Sequence, residues 1–395
     1  MKTLTDKIIL LFLSLAIGLL AGVLDAAFGI VLLALSAIRE AQPFYLIPIL
    51  PFAGLLIIFL YRKWGKNSQK GMALIFEAGH GENPQIPKRL IPFVVFSTWL
   101  THLFGGSAGR EGVAVQIGGT IGHHLGKKIP SEANQKILLM TGMAAGFGGL
   151  FQTPLAAAFF AMEIFVPGKI EYAAMIPALV GAYTASWTSH LLGLEKFSFA
   201  IFPALEISPL ALGKLLLAGL CFSLAGFLFT YLLHLIKKML FHKLPNPYER
   251  IFYVGALLSI GFIIFDMGRY TGLGTQLIAW SFEGQRIRSY DWALKLLFTV
   301  VTLAAGFQGG EVTPLFAIGA SLGAVFASIF GLPIPLLAAM GYVSVFAAAT
   351  NSFLAPVLIA GEVFGFAALP YFIPVVAIAY AFNRSASIYR QSKTS

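Results

Sequence analysis

From residue 8 to residue 382 the chain is one apolar segment after another, with short polar gaps between them. The segments lie near residues 8–38, 44–60, 90–104, 112–126, 135–150, 153–166, 172–192, 208–236, 250–265, 293–307, 313–330, 333–350, 354–366 and 369–382. Only 11% of the residues are charged, where a soluble chain carries about 25%. A soluble fold is set aside on that ground. At about 20 residues per crossing, the segments supply roughly ten or more membrane passages. Several are too short to span upright, and Pro154, Pro314 and Pro356 interrupt others. Short and broken helices at membrane depth are tolerated only where protein or water covers the freed backbone groups. In transporters they mark the substrate site.

The net charge of +10 does not indicate nucleic-acid binding. The basic residues fall in the gaps, at Arg62, Lys63, Lys66 and Lys70, at Lys127 and Lys128, at Lys237, Lys238 and Lys243, and at Arg384 and Arg390. That pattern fits cytoplasmic loops under the positive-inside rule, with attraction to anionic membrane lipid as a secondary effect. Lys2 and Lys7 precede an apolar stretch, Ile8 to Ile38, longer than the core of a cleaved signal peptide. The expectation is a retained first helix with a cytoplasmic N-terminus. No soluble domain is visible at either end. A single Cys221 excludes an intramolecular disulfide. The histidines have no ligand spacing supported by a carboxylate, so neither metal nor cofactor is expected.

The chain repeats itself. Residues 142–165 align without gaps to 341–364, with identities at Gly142/Gly341, Phe147/Phe346, Leu155/Leu354, Ala156/Ala355, Ala161/Ala360, Glu163/Glu362 and Phe165/Phe364. Upstream, Ile117 to Gly122 matches Ile318 to Gly323 after a two-residue shift. The expectation is two homologous halves, 1–195 and 196–395, with a substrate site at their interface near the membrane midplane. Glu163 and Glu362, at matching ends of the repeat, are expected to share a structural role such as bonding to loop amides.

Chemistry concentrates in two polar insertions. The first, Gly105-Gly106-Ser107-Ala108-Gly109-Arg110-Glu111-Gly112, places an arginine and a glutamate between two apolar segments. An ionisable residue inside the membrane costs about 2.5–3.5 kcal/mol on insertion scales, so Glu111 is a functional candidate by default. Glycines around it let backbone amides crowd about a small anion. The second, Gly306-Phe307-Gln308-Gly309-Gly310-Glu311-Val312-Thr313-Pro314, ends with Pro314, which suits the first turn of a helix. Two helix N-termini, each carrying roughly half a positive charge, would make an anion site there. Charged, Glu111 would plug that site; protonated, it would withdraw and carry a proton. A static Glu111–Arg110 ion pair is the competing reading, weakened because adjacent residues on a helix do not face each other. Glu311 either competes for the same amides or caps its own helix.

These motifs together resemble the CLC family of anion channels and proton antiporters over nearly the whole chain. Gly109-Arg110-Glu111-Gly112 looks like the family's gating-glutamate signature, and Gly309 to Pro314 like the signature whose amides bind the anion. Gly71-Met72 occupies the place where a serine usually coordinates chloride, and Tyr389 matches the central-site tyrosine. The resemblance implies an all-α integral membrane protein of the bacterial plasma membrane, an inverted repeat of two helical halves, and a homodimer with one pathway per subunit. The departures are similar to those of the fluoride/proton antiporter branch: Met72 for serine, a valine after Gly112, and Glu311 with Thr313 in the second signature. The internal proton-transfer glutamate of chloride/proton exchangers would fall at Ile164, so the proton must share part of the anion route.

The implied activity is export of fluoride in exchange for protons. Glu111 and Glu311 would handle the proton; Met72, Phe76, Gly112, Val312, Thr313 and Tyr389 would line the anion site. A chloride channel or chloride/proton exchanger of the same fold is the alternative, with a passive fluoride channel as another. An intramembrane hydrolase is the reading from a different class, and no nucleophile–base pair supports it.

Overall fold

The structure is a computed structural model; it describes residues 4–82, 85–201, 205, 208–283, 287–383 and 387–391, and Lys2 and Arg384 lie outside them. The helices are α1 Leu4–Ala41, α2 Pro43–Leu46, α3 Leu50–Leu60, α4 Met72–Gly79, α5 Leu90–Leu103, α6 Glu111–Gly126, α7 Glu132–Phe151, α8 Pro154–Glu163 and α9 Met175–Leu191. They continue with α10 Pro209–Lys243, α11 Pro247–Ile264, α12 Thr275–Glu283, α13 Asp291–Ala305, α14 Val312–Phe330, α15 Ile334–Thr350, α16 Leu354–Phe364 and α17 Leu369–Phe382. Every apolar segment of the sequence is a helix or a run of short ones. Among the described residues there is no strand, only an isolated antiparallel bridge between Gly109 and Gly310.

Helix lengths divide into two sorts. Helices α1 and α10 have 38 and 35 residues. At 1.5 Å per residue, helices of this size are more than 50 Å long, so they must lean in a hydrocarbon layer about 30 Å thick. By contrast, α4, α8, α12 and α16 are too short to cross. The most apolar stretch of α14 is 78% buried inside the protein, against 39% for α1. So α14 is surrounded by protein, whereas α1 keeps a broad lipid-facing side, with Phe12, Leu19, Leu20 and Val23 exposed.

The two repeats pack alike. Helices α6 and α7 cross where Gly118 and Gly122 meet Leu138, Gly142 and Gly146, and a methyl group at Gly118 would strike the Gly142 carbonyl. Helices α14 and α15 cross where Gly319 and Gly323 meet Leu337 and Gly341, and a methyl group at Gly319 would strike the Gly341 carbonyl. Small residues four apart let membrane helices approach backbone to backbone. This is the reason for the glycines at repeat-related positions 118 and 319, and 142 and 341.

The halves are also clamped to each other. The Glu163 carboxylate, at the end of α8, accepts N–H bonds from Phe353, Leu354 and Ala355 at the start of α16, at 3.3, 3.0 and 2.8 Å. In return the Glu362 carboxylate, in the last turn of α16, accepts from Leu155 and Ala156 at the start of α8, at 3.2 and 2.8 Å. The partners are thus the unpaired N-terminal amides of the opposite repeat's helix, where negative charge is favoured.

Candidate functional site

Two glycine-rich loops form the site by meeting face to face. The Gly109 N–H donates to the Gly310 carbonyl at 2.5 Å and the Gly310 N–H donates to the Gly109 carbonyl at 2.7 Å. Gly109 and Gly310 differ by the same offset as Ile117 and Ile318. A residue therefore pairs with its own repeat counterpart, and a local two-fold axis passes between them. The approach requires the absence of side chains: a Cβ on Gly109 would lie 2.8 Å from Pro314 Cδ and 3.0 Å from the Gly310 oxygen. The loops also lead into α6 and α14, so both helix N-termini are delivered to the same place.

The Glu111 carboxylate occupies the N-terminus of α14. Its Oε2 accepts from the Thr313 amide at 3.1 Å, and the Thr313 hydroxyl lies 2.6 Å from both carboxylate oxygens. The Arg110 amide donates to Oε2 at 3.3 Å. The side chain is fully buried. A carboxylate there takes a helix-end amide and a hydroxyl, donors of the kind that suit an anion.

Arg110 corrects the sequence reading in one respect. Its Nε lies 3.7 Å from Glu111 Oε1. The rule that neighbours on a helix point apart does not apply, because Arg110 is the residue just before α6, with φ −126°. The pair is nonetheless long and is not what holds Glu111: Arg110 Nε and Nη1 have no hydrogen-bond partner.

Glu311 stands at the N-cap position of α14 but makes no capping hydrogen bond. It does not cap its own helix, because the Thr313 amide is taken by Glu111. The Tyr389 hydroxyl and Glu311's own backbone amide are the groups beside its carboxyl. Between the two carboxylates lies Gly112. A Cβ at Gly112 would be 3.3 Å from Gly310 Cα, 3.6 Å from Met72 Cε and 3.8 Å from Glu311 Oε2. Met72, the first residue of α4, thus brings its methyl group up to Gly112. Val312 opens α14 one position before Thr313 and is buried.

Tyr389 stacks on Phe76, with ring centroids 5.3 Å apart and planes 17° apart, and Phe160 meets Tyr389 edge-on at 6.0 Å. The short segment carrying Tyr389 is tied to the end of α15: Ile388 N–H donates to the Ala349 carbonyl, and Ser387 and Gln391 side chains donate to that of Thr350. Glu111 and Thr313 thus bond to each other, Met72 and Glu311 both approach Gly112, and Tyr389 stacks on Phe76 beside Glu311.

The sequence missed residues that support this set. Lys295, on α13, is fully buried. Its ammonium donates to Ser107 Oγ at 2.9 Å and to the carbonyls of Tyr270 and Gly272 at 3.1 and 2.7 Å. It pins the first glycine loop to the second half. The signal was available, since a lysine inside the 293–307 segment is as costly in a membrane as Glu111. Phe160 carried no such signal, being one apolar residue among many.

The family described as voltage gated chloride channel matches residues 53–384. The chain belongs to this family, the CLC proteins. It is 36% identical over 372 residues to a chloride/fluoride channel protein of Pseudomonas syringae pv. tomato, covering 92% of this chain and 80% of that one. Among solved structures, that of a CLC-type fluoride/proton antiporter is 50% identical and superposes with a TM-score of 0.98, covering 100% of both chains. A slow cyanobacterial chloride/proton antiporter superposes with a TM-score of 0.82 at 21% identity, covering 95% of this chain and 94% of that one. The second likeness speaks for the fold alone. This CLC protein is therefore an all-helical integral membrane protein.

Proposed function

We propose that this CLC protein exports fluoride across the cell membrane in exchange for protons, with Glu111 as the gating, proton-carrying glutamate. The observation that carries the reading is the Glu111 carboxylate seated on the Thr313 amide and hydroxyl, where it competes with an anion for the start of α14. The half-identical fluoride/proton antiporter structure, matched over the whole chain, supports fluoride as the anion.

The mechanism follows from charge and reach. Ionised, Glu111 fills the site and no anion passes. A proton arriving from water binds the carboxylate, removes its charge and lets it withdraw from the helix end, so fluoride takes the vacated donors. Fluoride is a small, strong hydrogen-bond acceptor, and bonds involving an ionised partner are about twice as strong as neutral ones. A protonated Glu111 can therefore donate to the ion it admits. Glu311 and Tyr389 continue the polar line past Gly112, and Glu311 in its neutral form is a second proton donor toward that line. Met72, Phe76, Gly112 and Val312 make the remaining wall apolar or featureless, which withholds coordination from larger, more weakly accepting chloride. The reading takes residues 1–195 and 196–395 as the two halves around this site, and the protein as a homodimer with one pathway per subunit.

Replacing Glu111 by glutamine keeps the shape and removes the proton. In liposomes Glu111→Gln abolishes proton-coupled fluoride movement; coupled exchange surviving in that variant would overturn the reading.

A further inference from the structure

A basic cavity of about 480 Å³ opens between the turn Lys66–Lys70 and residues 85–89, which lead into α5. Exposed Lys66, Lys88 and Arg89 line it, together with Asn67 and Gln85. Ile86, only 3% exposed, anchors this wall in the core. Among the described residues no carboxylate pairs with the three cations. The acidic residues of the neighbouring sequence are taken: Glu77 by Lys70 at 3.2 Å and Arg390 at 4.0 Å, and Glu82 by Arg390 at 3.4 Å. Like charges around one cavity repel one another, and an anion placed between them removes that cost.

The flank of the cavity has the character of a membrane interface. Arg89 Nη1 donates to the Trp64 carbonyl at 2.6 Å, so the cavity borders Trp64. Trp64 is 47% exposed and meets Phe59 edge-on at 5.9 Å. The Lys63 ammonium lies 5.3 Å from the Phe59 ring centroid and 4.7 Å from that of Trp64. Exposed aromatics beside basic residues sit at head-group level on the cytoplasmic side of a membrane. Phe52, Leu56 and Phe59, spaced four and three apart on α3, are all exposed and share one face. That face suits acyl chains and ends at the basic cavity. A free phosphate ion would use the cations and leave the apolar face without a role.

We propose that the cavity binds the phosphate head group of an anionic glycerophospholipid of the cytoplasmic leaflet, with its chains along Phe52, Leu56 and Phe59, and that the bound lipid steadies one wall of the anion site. The turn Lys66–Lys70 runs directly into Gly71 and Met72. A Cβ on Gly71 would lie 3.1 Å from Gln116 Oε1, and Gln116 Nε2 donates to the Gly112 carbonyl at 3.2 Å. Met72 approaches Gly112 from the same segment. A head group that holds the turn therefore holds two neighbours of Gly112. Lipid binding is independent of which anion the protein carries; its effect on transport rests on the proposed fluoride reading.

The test compares the full-length protein with the double variants Lys66→Gln/Lys88→Gln and Lys66→Arg/Lys88→Arg. Binding of phosphatidylglycerol carrying a fluorescent chain is measured in detergent, against phosphatidylcholine and inorganic phosphate as competitors. A cation beside an anionic head group is worth about fivefold in affinity, so the glutamine variant binds about twenty-five-fold more weakly. The arginine variant binds as the native protein does. Equal binding by the native and glutamine proteins overturns the site, and inorganic phosphate displacing the lipid at equal concentration overturns the lipid as its occupant. Should the glutamine variant fail to fold, the native protein decides: phosphatidylglycerol displaced by phosphatidylcholine at equal concentration overturns the inference. In liposomes, native fluoride transport is faster with phosphatidylglycerol than with phosphatidylcholine alone, and the glutamine variant loses that acceleration. Acceleration that survives in the variant overturns the link to the anion site. Glu111→Gln separates the layers: it binds the lipid normally, and coupled exchange retained in it sinks the gate without touching the lipid site.

Discussion

On the proposed mechanism, Thr313 sets how firmly the gate closes. Its hydroxyl reaches both Glu111 oxygens while its amide holds one of them. Thr313→Val keeps the amide and the shape but removes the hydroxyl. A hydrogen bond to a charged group contributes about 1.5–3 kcal/mol, so this variant is expected to leak fluoride at least tenfold faster without proton movement, measured as efflux at matched pH inside and outside. Tyr389→Phe acts on the other carboxylate. It removes the hydroxyl beside Glu311 and keeps the stack on Phe76. The expected result is slowed transport with intact folding, judged by a monodisperse elution profile. At this scale much was legible in the sequence. Glu111, Glu311 and the glycines announced themselves because charge and flexibility are conspicuous in an apolar chain. The pairing was not legible: which oxygen meets which donor depends on two loops 201 positions apart closing on each other at Gly109 and Gly310.

Helices α8 and α16 fix the geometry by exchanging caps. Glu163 receives three amides of α16 and Glu362 two amides of α8. A glutamine offers one neutral acceptor in place of a two-oxygen anion. Glu163→Gln is therefore expected to lower stability by about 1.5–3 kcal/mol and by more than Glu362→Gln. Thermal unfolding in detergent measures both; equal or absent effects contradict the cap assignment. The sequence placed both glutamates at equivalent ends and expected amide partners, and that holds. It did not show that the amides belong to the opposite repeat, because a repeat reveals equivalence and not contact. Among the helices, α12 escaped because Leu277, Ile278, Trp280 and Phe282 make too short an apolar stretch between Thr275 and Glu283. Helix α4, with eight residues starting at Met72, is too short to show a periodicity.

The whole molecule converts a symmetric scaffold into an asymmetric site. The same glycine crossings build α6–α7 and α14–α15, and a residue pairs with its own counterpart across the local axis. On that frame Glu111 begins α6, whereas the equivalent place in the second half is Val312, at the start of α14. One helix end thus supplies the plug and the other receives it. On the proposed mechanism this difference makes an exchanger out of a duplicated anion site, the occupant being either the protein's own carboxylate or the ion. Glu111 then leaves only when neutral, so each opening is tied to a proton. The most direct measurement is fluoride movement against its own gradient in liposomes, with a proton gradient as the sole driving force and membrane potential clamped. The account predicts that fluoride accumulates uphill until its gradient balances that of the protons. Fluoride that only runs downhill, whatever the pH difference, would contradict it and make the protein a passive channel.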